Sequence, residues 1–197
     1  MGTITGKLPA HVDIFEGYSV HLRFAGKKFH KKSLRNGDGF MPDMLVKLYQ
    51  LPESDPVRKQ LSANGIEIRR AIAPEKHLVL DWIKERFGEG WTSECEVAFT
   101  NQPVSCYIAV QNQKMVGFAC YDATCRNFFG PMGVEESARV HGIGKGLLLA
   151  SLHAMHAIGY GYAIIGSAGP TEFYSKVVHA TIIEDSSPGI YRGMLKR

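Results

Sequence analysis

Apolar and polar positions change rhythm several times along this chain, and each change marks an element. HVDIF (11–15) alternates, Glu16-Gly17 supplies a turn, and YSVHLRF (18–24) alternates again. Period two is the signature of half-buried strands. RNGDGFMP (35–42) gathers turn residues and breakers, so a boundary is expected near 36–43. Residues 1–43 then read as a small β-hairpin-like extension ahead of a main domain over 44–197. DMLVKLYQLPESDPVRKQLSANG (43–65) carries short helical patterns, broken at Pro52 and Pro56.

From residue 66 the pattern becomes regular. IEIRRAI (66–72) alternates as a strand, and Pro74 sits where a helix tolerates proline, near its first turn. HLVLDWIKERFG (77–88) puts Val79, Trp82, Ile83 and Phe87 on one helical face, and Gly88 and Gly90 are expected to stop it. In SCYIAVQNQKMVGFACYDAT (105–124), CYIAV and MVGFACY are strand-like with QNQK as the turn, which predicts a hairpin. NFFGPMGV (127–134) is strand-like too, but Pro131 lacks the N–H of an ordinary central strand. An edge, a bulge or a splayed end would accept it. A glycine stretch then precedes a helix over about 143–158, with Leu148, Leu152 and Met155 on one ridge. YAIIGSAG (162–169) reads as a buried strand, PTEFYSKVV (170–178) as a short helix, ATIIED (180–185) as a last strand and SSPGIYRGML (186–195) as a turn and tail.

Composition adds bounds. With 197 residues, 45% hydrophobic and 21% charged, the chain is of ordinary globular type. No apolar run approaches the roughly 20 residues that span a bilayer, and the N-terminus lacks a signal-peptide pattern. A cytoplasmic protein that binds no membrane is expected. The net charge of +4 is placed unevenly, with +3 falling in residues 1–43. The basic run KKFHKKSLR (27–35) is the one nucleic-acid candidate; without a recognition motif it reads as a solvated flank, and no nucleic-acid partner is expected. Cys95, Cys106, Cys120 and Cys125 form no paired CxxC motif, so buried reduced thiols and no metal are expected. His153 and His156 lie i, i+3 on the long helix and read as a solvated face rather than a metal pair.

The candidate chemistry starts at RVHGIGKGLLLASLH (139–153), where Gly142, Gly144 and Gly146 stand ahead of the leucine-rich helix. A helix start leaves N–H groups unpartnered and carries a partial positive charge, which together attract phosphate. Glycine lets that backbone approach an anion without a Cβ in the way. Amides over Val140, His141, Gly142, Ile143, Gly144 and Lys145 would cradle the phosphate, with Arg139 and Lys145 adding charge. The spacing fits neither G-x-x-x-x-G-K-[ST] nor G-x-G-x-x-G. The bland alternative is a glycine turn used for close helix packing.

RVHGIG (139–144) resembles the R/Q-x-x-G-x-G/A acyl-CoA pyrophosphate loop of the GNAT superfamily of N-acetyltransferases. The element order from Ile66 to Asp185 is similar to that whole fold, and EFYSKVVHATII (172–183) resembles its closing F-Y-x-K segment. Val140 and His141 fill the loop's variable positions, and Val178-His179 replaces the usual Gly-Phe. The resemblance implies an α/β (α+β) fold with a mixed, largely antiparallel central sheet flanked by helices. It implies acetyl-CoA as co-substrate and an amine as acceptor. It further implies a splayed strand in which Met132, Gly133 and Val134 line the pantetheine arm, and Tyr174 as the acid that protonates the departing thiolate.

The bland reading of Tyr174 is a packed core tyrosine. The base for the incoming amine has three candidate carboxylates, Glu94, Glu96 and Asp122, with Glu94 in front, and water is the alternative. A non-catalytic acyl-CoA-binding or sensing module on the same fold competes with the enzyme, as does a protein–protein module. The N-terminal extension is expected to pack on the core or on a neighbouring subunit of a homodimer.

Overall fold

The computed structural model describes residues 41–195, together with two short strands nearer the N-terminus and without the side chains of residues 140 and 141. Those strands, β1 (Asp13–Ile14) and β2 (Tyr18–Ser19), pair antiparallel with Asp13 opposite Ser19, as the alternation predicts. Of the expected extension over 1–43, residues 41–43 are described as well, and the rest, including the basic run at 27–35, lies outside the described residues.

The main sheet has seven strands. In chain order the elements are β3 (Met44–Lys47), α1 (Asp55–Ala63), β4 (Ile66–Arg70), α2 (Lys76–Phe87), α3 (Glu89–Ala98), β5 (Cys106–Gln111), β6 (Lys114–Tyr121), β7 (Phe128–Val134), α4 (Ile143–Ala157), β8 (Tyr162–Ile165), α5 (Thr171–Val178) and β9 (Thr181–Ile182). The sheet order is β4-β5-β6-β7-β8-β3-β9, and all neighbours are antiparallel except β7 and β8. It is the mixed, largely antiparallel sheet that the family resemblance implies.

Two expectations are corrected. Met44–Lys47, expected to be helical, is a strand lying between β8 and β9, with Met44 opposite both Ile165 and Ile182. Met44 and Val46 are fully buried while Lys47 is exposed, so the short segment follows period two once two strands flank it. Pro56 does not break a helix but stands in the first turn of α1, where its missing N–H costs nothing. Gly88, at φ +86°, does end α2, whereas Gly90 lies inside α3.

The predicted hairpin forms with a tighter turn than QNQK. Asn112 and Gln113 both take left-handed φ, at 50° and 61°, and Gln111 faces Lys114. Two left-handed residues match the twist of the flanking strands.

The sheet carries a core on each face. Residues alternate along the end of β6: Ala119 and Tyr121 join the core with α1, α4 and α5, while Phe118 and Cys120 join the one with α2 and α3. Helix α4 is the centre of the first core, with Leu147, Leu148, Leu149, Leu152 and Met155 fully buried. Gly146 lies on its tightest face. A Cβ there would stand 2.5 Å from Ile68 Cδ1 and 2.6 Å from Leu61 Cδ1. Gly146→Ala is expected to destabilise by about 1 kcal/mol, overpacking of about 1–3 kcal/mol being partly offset by helix propensity. A urea midpoint at or above wild type would contradict this packing role.

Candidate active site

Strands β7 and β8 run parallel but pair only at Phe128–Ile164 and Phe129–Ile165. Beyond Phe129 the described pairing stops, while β7 stays paired to β6 as far as Val134 opposite Gly117. Pro131 therefore stands where the sheet opens, and β7 carries its bulge there, at the register shift between Ala119 and Tyr121. The opening leaves residues 130–134 of β7 unpaired to β8, a gap in the ladder whose far end, Val134, lies beside Gly144 of α4.

At the end of that gap stands the glycine stretch. A 3₁₀ turn over Glu136–His141 leads to Gly142, whose φ of +78° is left-handed and suits glycine. Helix α4 starts at Ile143, and its first turn closes with Gly146 N donating to Gly142 O at 3.0 Å. The N–H groups of Ile143, Gly144 and Lys145 belong to the turn that has no intrahelical acceptors. A Cβ on Gly144 would meet only Phe173 and Val134 side chains, each at 3.9 Å. The three glycines thus have separate reasons: Gly142 for its dihedral, Gly144 for its open side beside the splayed strand, Gly146 for packing.

Arg139 lies beside the same end of β7. Its Nε donates to Val134 O at 3.2 Å, and its Nη1 is enclosed with no hydrogen-bond partner among the described residues. Burial lowers its guanidinium from the ordinary value, with Glu136 opposing. A desolvated cation with an unmatched donor is costly and is relieved by an anion. Lys145 is exposed on the first turn of α4. Along β7, Met132 is half-buried in the α4 core, while Gly133 faces α2 so closely that a Cβ would lie 2.5 Å from Phe87 Cζ. Val134 Cγ2 approaches both Gly117 and Gly144.

Tyr174, on α5, packs edge-on against Phe129 at 6.4 Å and Phe173 at 5.2 Å between ring centroids. It is buried, and desolvation pushes its phenol far above the ordinary value. It therefore lies on the α4–α5 side of the β7–β8 pair, reached through Phe129.

Glu94 lies across the sheet. It faces inward from α3 and accepts a hydrogen bond from Thr124 Oγ1 at 2.5 Å. Burial raises its carboxyl above the ordinary range, against the smaller opposing effect of the Thr124 hydroxyl. Of the other two carboxylates weighed, Glu96 is exposed and paired with Lys76 at 2.9 Å. Asp122 accepts from Asn127 N at 2.7 Å and Tyr160 O–H at 3.1 Å. It lines a cavity of about 600 Å³ with Asn101, Arg126 and Tyr160. That cavity touches the C-terminal end of α4, about 22 Å along the helix from the glycine stretch.

Residues missed from the sequence complete this corner. Tyr191, from the C-terminal segment, puts its hydroxyl 2.9 Å from where a Gly166 Cβ would be, next to the Phe128 ring. Its phenol is raised by burial and then by the negative field of Glu94, and the Thr124 hydroxyl opposes the rise. Asp43 accepts from Ser167 N at 2.8 Å, just past β8, and its own N–H donates to Ser186 Oγ at 2.8 Å. Tyr191, Thr124 and Glu94 thus form a polar cluster on the α3 side, opposite Tyr174. The signal for Tyr191 was weak, a tyrosine in a turn-rich tail.

Residues 76–175, about half of the chain, match the profile of the acetyltransferase (GNAT) family. No curated protein sequence matches significantly. Among solved structures, the chain is similar to the GCN5-related glucosamine N-acetyltransferase region of a fungal multi-domain GH3 β-N-acetylglucosaminidase. The TM-score is 0.63 at 16% identity, over 78% of this chain and 21% of that one. A GCN5-related N-acetyltransferase from Sphaerobacter thermophilus gives a TM-score of 0.58 at 17% identity, over 72% of this chain and 48% of that one. At such identities the likeness is one of fold. The chain spans about a fifth of the first neighbour and about half of the second. Among the described residues, no helix is long and apolar enough to cross a membrane.

Proposed function

Because this chain belongs to the acetyltransferase (GNAT) family, and so is an acyltransferase, we propose that it transfers acetyl from acetyl-CoA to a primary amine by direct attack in a ternary complex. One observation carries the reading. The edge of β7 left unpaired by β8 ends at Val134, which lies beside Gly144 in the first turn of α4 and accepts a hydrogen bond from Arg139, whose Nη1 has no partner among the described residues. The diphosphate would be held by amides over residues 140–145, with Arg139 and Lys145 adding charge. The pantetheine arm would lie along Met132, Gly133 and Val134, completing the hydrogen bonds that β8 does not make.

The chemistry then needs two protons moved. The amine nitrogen attacks the thioester carbonyl, the C–S bond breaks, the ammonium proton goes to a base and the sulfur takes a proton. Positioning the two reactants supplies up to about 7–11 kcal/mol in favourable cases. Glu94 is the base, acting through Thr124, and Tyr191 lines the acceptor's approach. The raised carboxyl of Glu94 lies closer to neutral pH than an ordinary one, as a general base requires.

Tyr174 is the acid. Its phenol is held high, but a thiolate formed in the same dry pocket is raised by the same desolvation, so the proton still has reason to move. Tyr174→Phe keeps the ring packing against Phe129 and removes only the hydroxyl. It is expected to lower kcat by about 100-fold with CoA affinity unchanged. Unchanged turnover would assign Tyr174 to the core alone.

The test of the function is CoA release from acetyl-CoA, measured chromatographically, across a panel of amines that includes glucosamine, polyamines and peptide N-termini. Acceptor-dependent release is expected. Bound acetyl-CoA with no release for any amine would favour the non-catalytic binding module.

A further inference from the structure

Behind Glu94, on the α2–α3 side of the sheet, three cysteines from three elements converge. Cys95 comes from α3, Cys106 from β5 and Cys120 from β6, and the last two are direct cross-strand partners. All three are fully buried and none is in a disulfide. Their sulfurs all lie within 4.8 Å of one another, and Cys95 Sγ is 3.8 Å from Cys106 Sγ. The fourth cysteine, Cys125, is only half-buried and outside the cluster.

We propose that Cys95, Cys106 and Cys120 form a three-sulfur site for a soft monovalent cation of the copper(I) class. The geometry suits three-fold coordination. A metal–sulfur bond of about 2.3 Å puts the corners of a planar trigonal site about 4 Å apart. That is the spacing found between Cys95 and Cys106. Soft thiolate donors select copper(I) and zinc among biological metals. No fourth His, Cys, Asp or Glu joins the cluster among the described residues, and its surroundings are Ile83, Ile108 and Phe118. Structural zinc is almost always four-coordinate, which tips the choice to copper(I).

Each sulfur binds as its thiolate: three metal–sulfur bonds form as three S–H bonds break, and the three protons leave to solvent. The bound ion would tie α3 to two strands of the sheet.

The experiment is an anaerobic titration of the reduced full chain with copper(I), in competition with a chromophoric copper(I) chelator. Zinc(II) is titrated in parallel. One equivalent of copper per chain is expected to be held against the chelator, with X-ray absorption of the wild-type complex showing three sulfurs at about 2.3 Å. Cys95→Ala, Cys106→Ala and Cys120→Ala should each weaken binding at least 100-fold, and Cys125→Ala should not. The wild-type sulfur count decides the matter even where an alanine variant fails to fold. Copper lost entirely to the chelator, fewer than three sulfurs, or zinc held as tightly as copper would each overturn the assignment. Acetyl transfer is not part of the readout, so the outcome is separate from that of the proposed reaction.

Discussion

Gly144→Val is expected to weaken CoA binding by at least about 100-fold while leaving the urea midpoint close to wild type. A hundredfold loss is about 2.7 kcal/mol, roughly the loss of one or two charge-assisted hydrogen bonds at about 1.5–3 kcal/mol each. Valine would place its branches on the open side of the first turn of α4, where the diphosphate must meet the amides. The fold has little reason to object. Gly144 has no left-handed φ, and a Cβ there meets its neighbours only at 3.9 Å. Gly146, two positions on, should behave in the opposite way when replaced by alanine, losing stability while its effect on CoA stays small. Calorimetry and urea titration of the two variants side by side separate ligand from packing. Equal losses of stability and affinity in both would mean that the glycines serve the helix alone.

Glu94→Gln is expected to lower kcat by about 100- to 1,000-fold with KM for acetyl-CoA unchanged. The pH profile gives the stronger test. Burial raises the Glu94 carboxyl, so its basic form is lost as pH falls through a value above the ordinary carboxylate range. The wild-type rate should fall along that limb, and the glutamine variant should lack it. Stability has a definite sign as well. A carboxyl raised in the folded state favours folding when protonated, a contribution present at low pH and lost as pH rises through the folded value. Glu94→Gln, neutral at every pH, should therefore be at least as stable as wild type at pH 7. Wild-type rates with the acidic limb intact would move the base to water.

What could be read from the sequence was whatever depends on neighbours in the chain. The hairpin at 106–121, helix α4 and the glycine stretch are local patterns, and the structure holds them nearly where periodicity placed them. Pro131 marked its strand as an edge, a bulge or a splayed end, because a missing N–H is a local fact with a non-local consequence, and the family resemblance singled out the splay. The hidden features needed distant partners. Met44–Lys47 is too short to declare itself a strand, and becomes one because β8 and β9 flank it. Thr124 and Tyr191 stand 30 and 97 positions from Glu94 in the chain, and only the fold sets them together. The cysteine cluster is spaced across α3, β5 and β6 with no recognisable ligand motif.

The most direct measurement compares CoA with pantetheine, which lacks the diphosphate, by titration calorimetry on the wild-type chain. CoA is expected to bind at least about 100-fold more tightly, the difference coming from the first turn of α4 and Arg139. Equal affinities, or no binding of CoA, would contradict it.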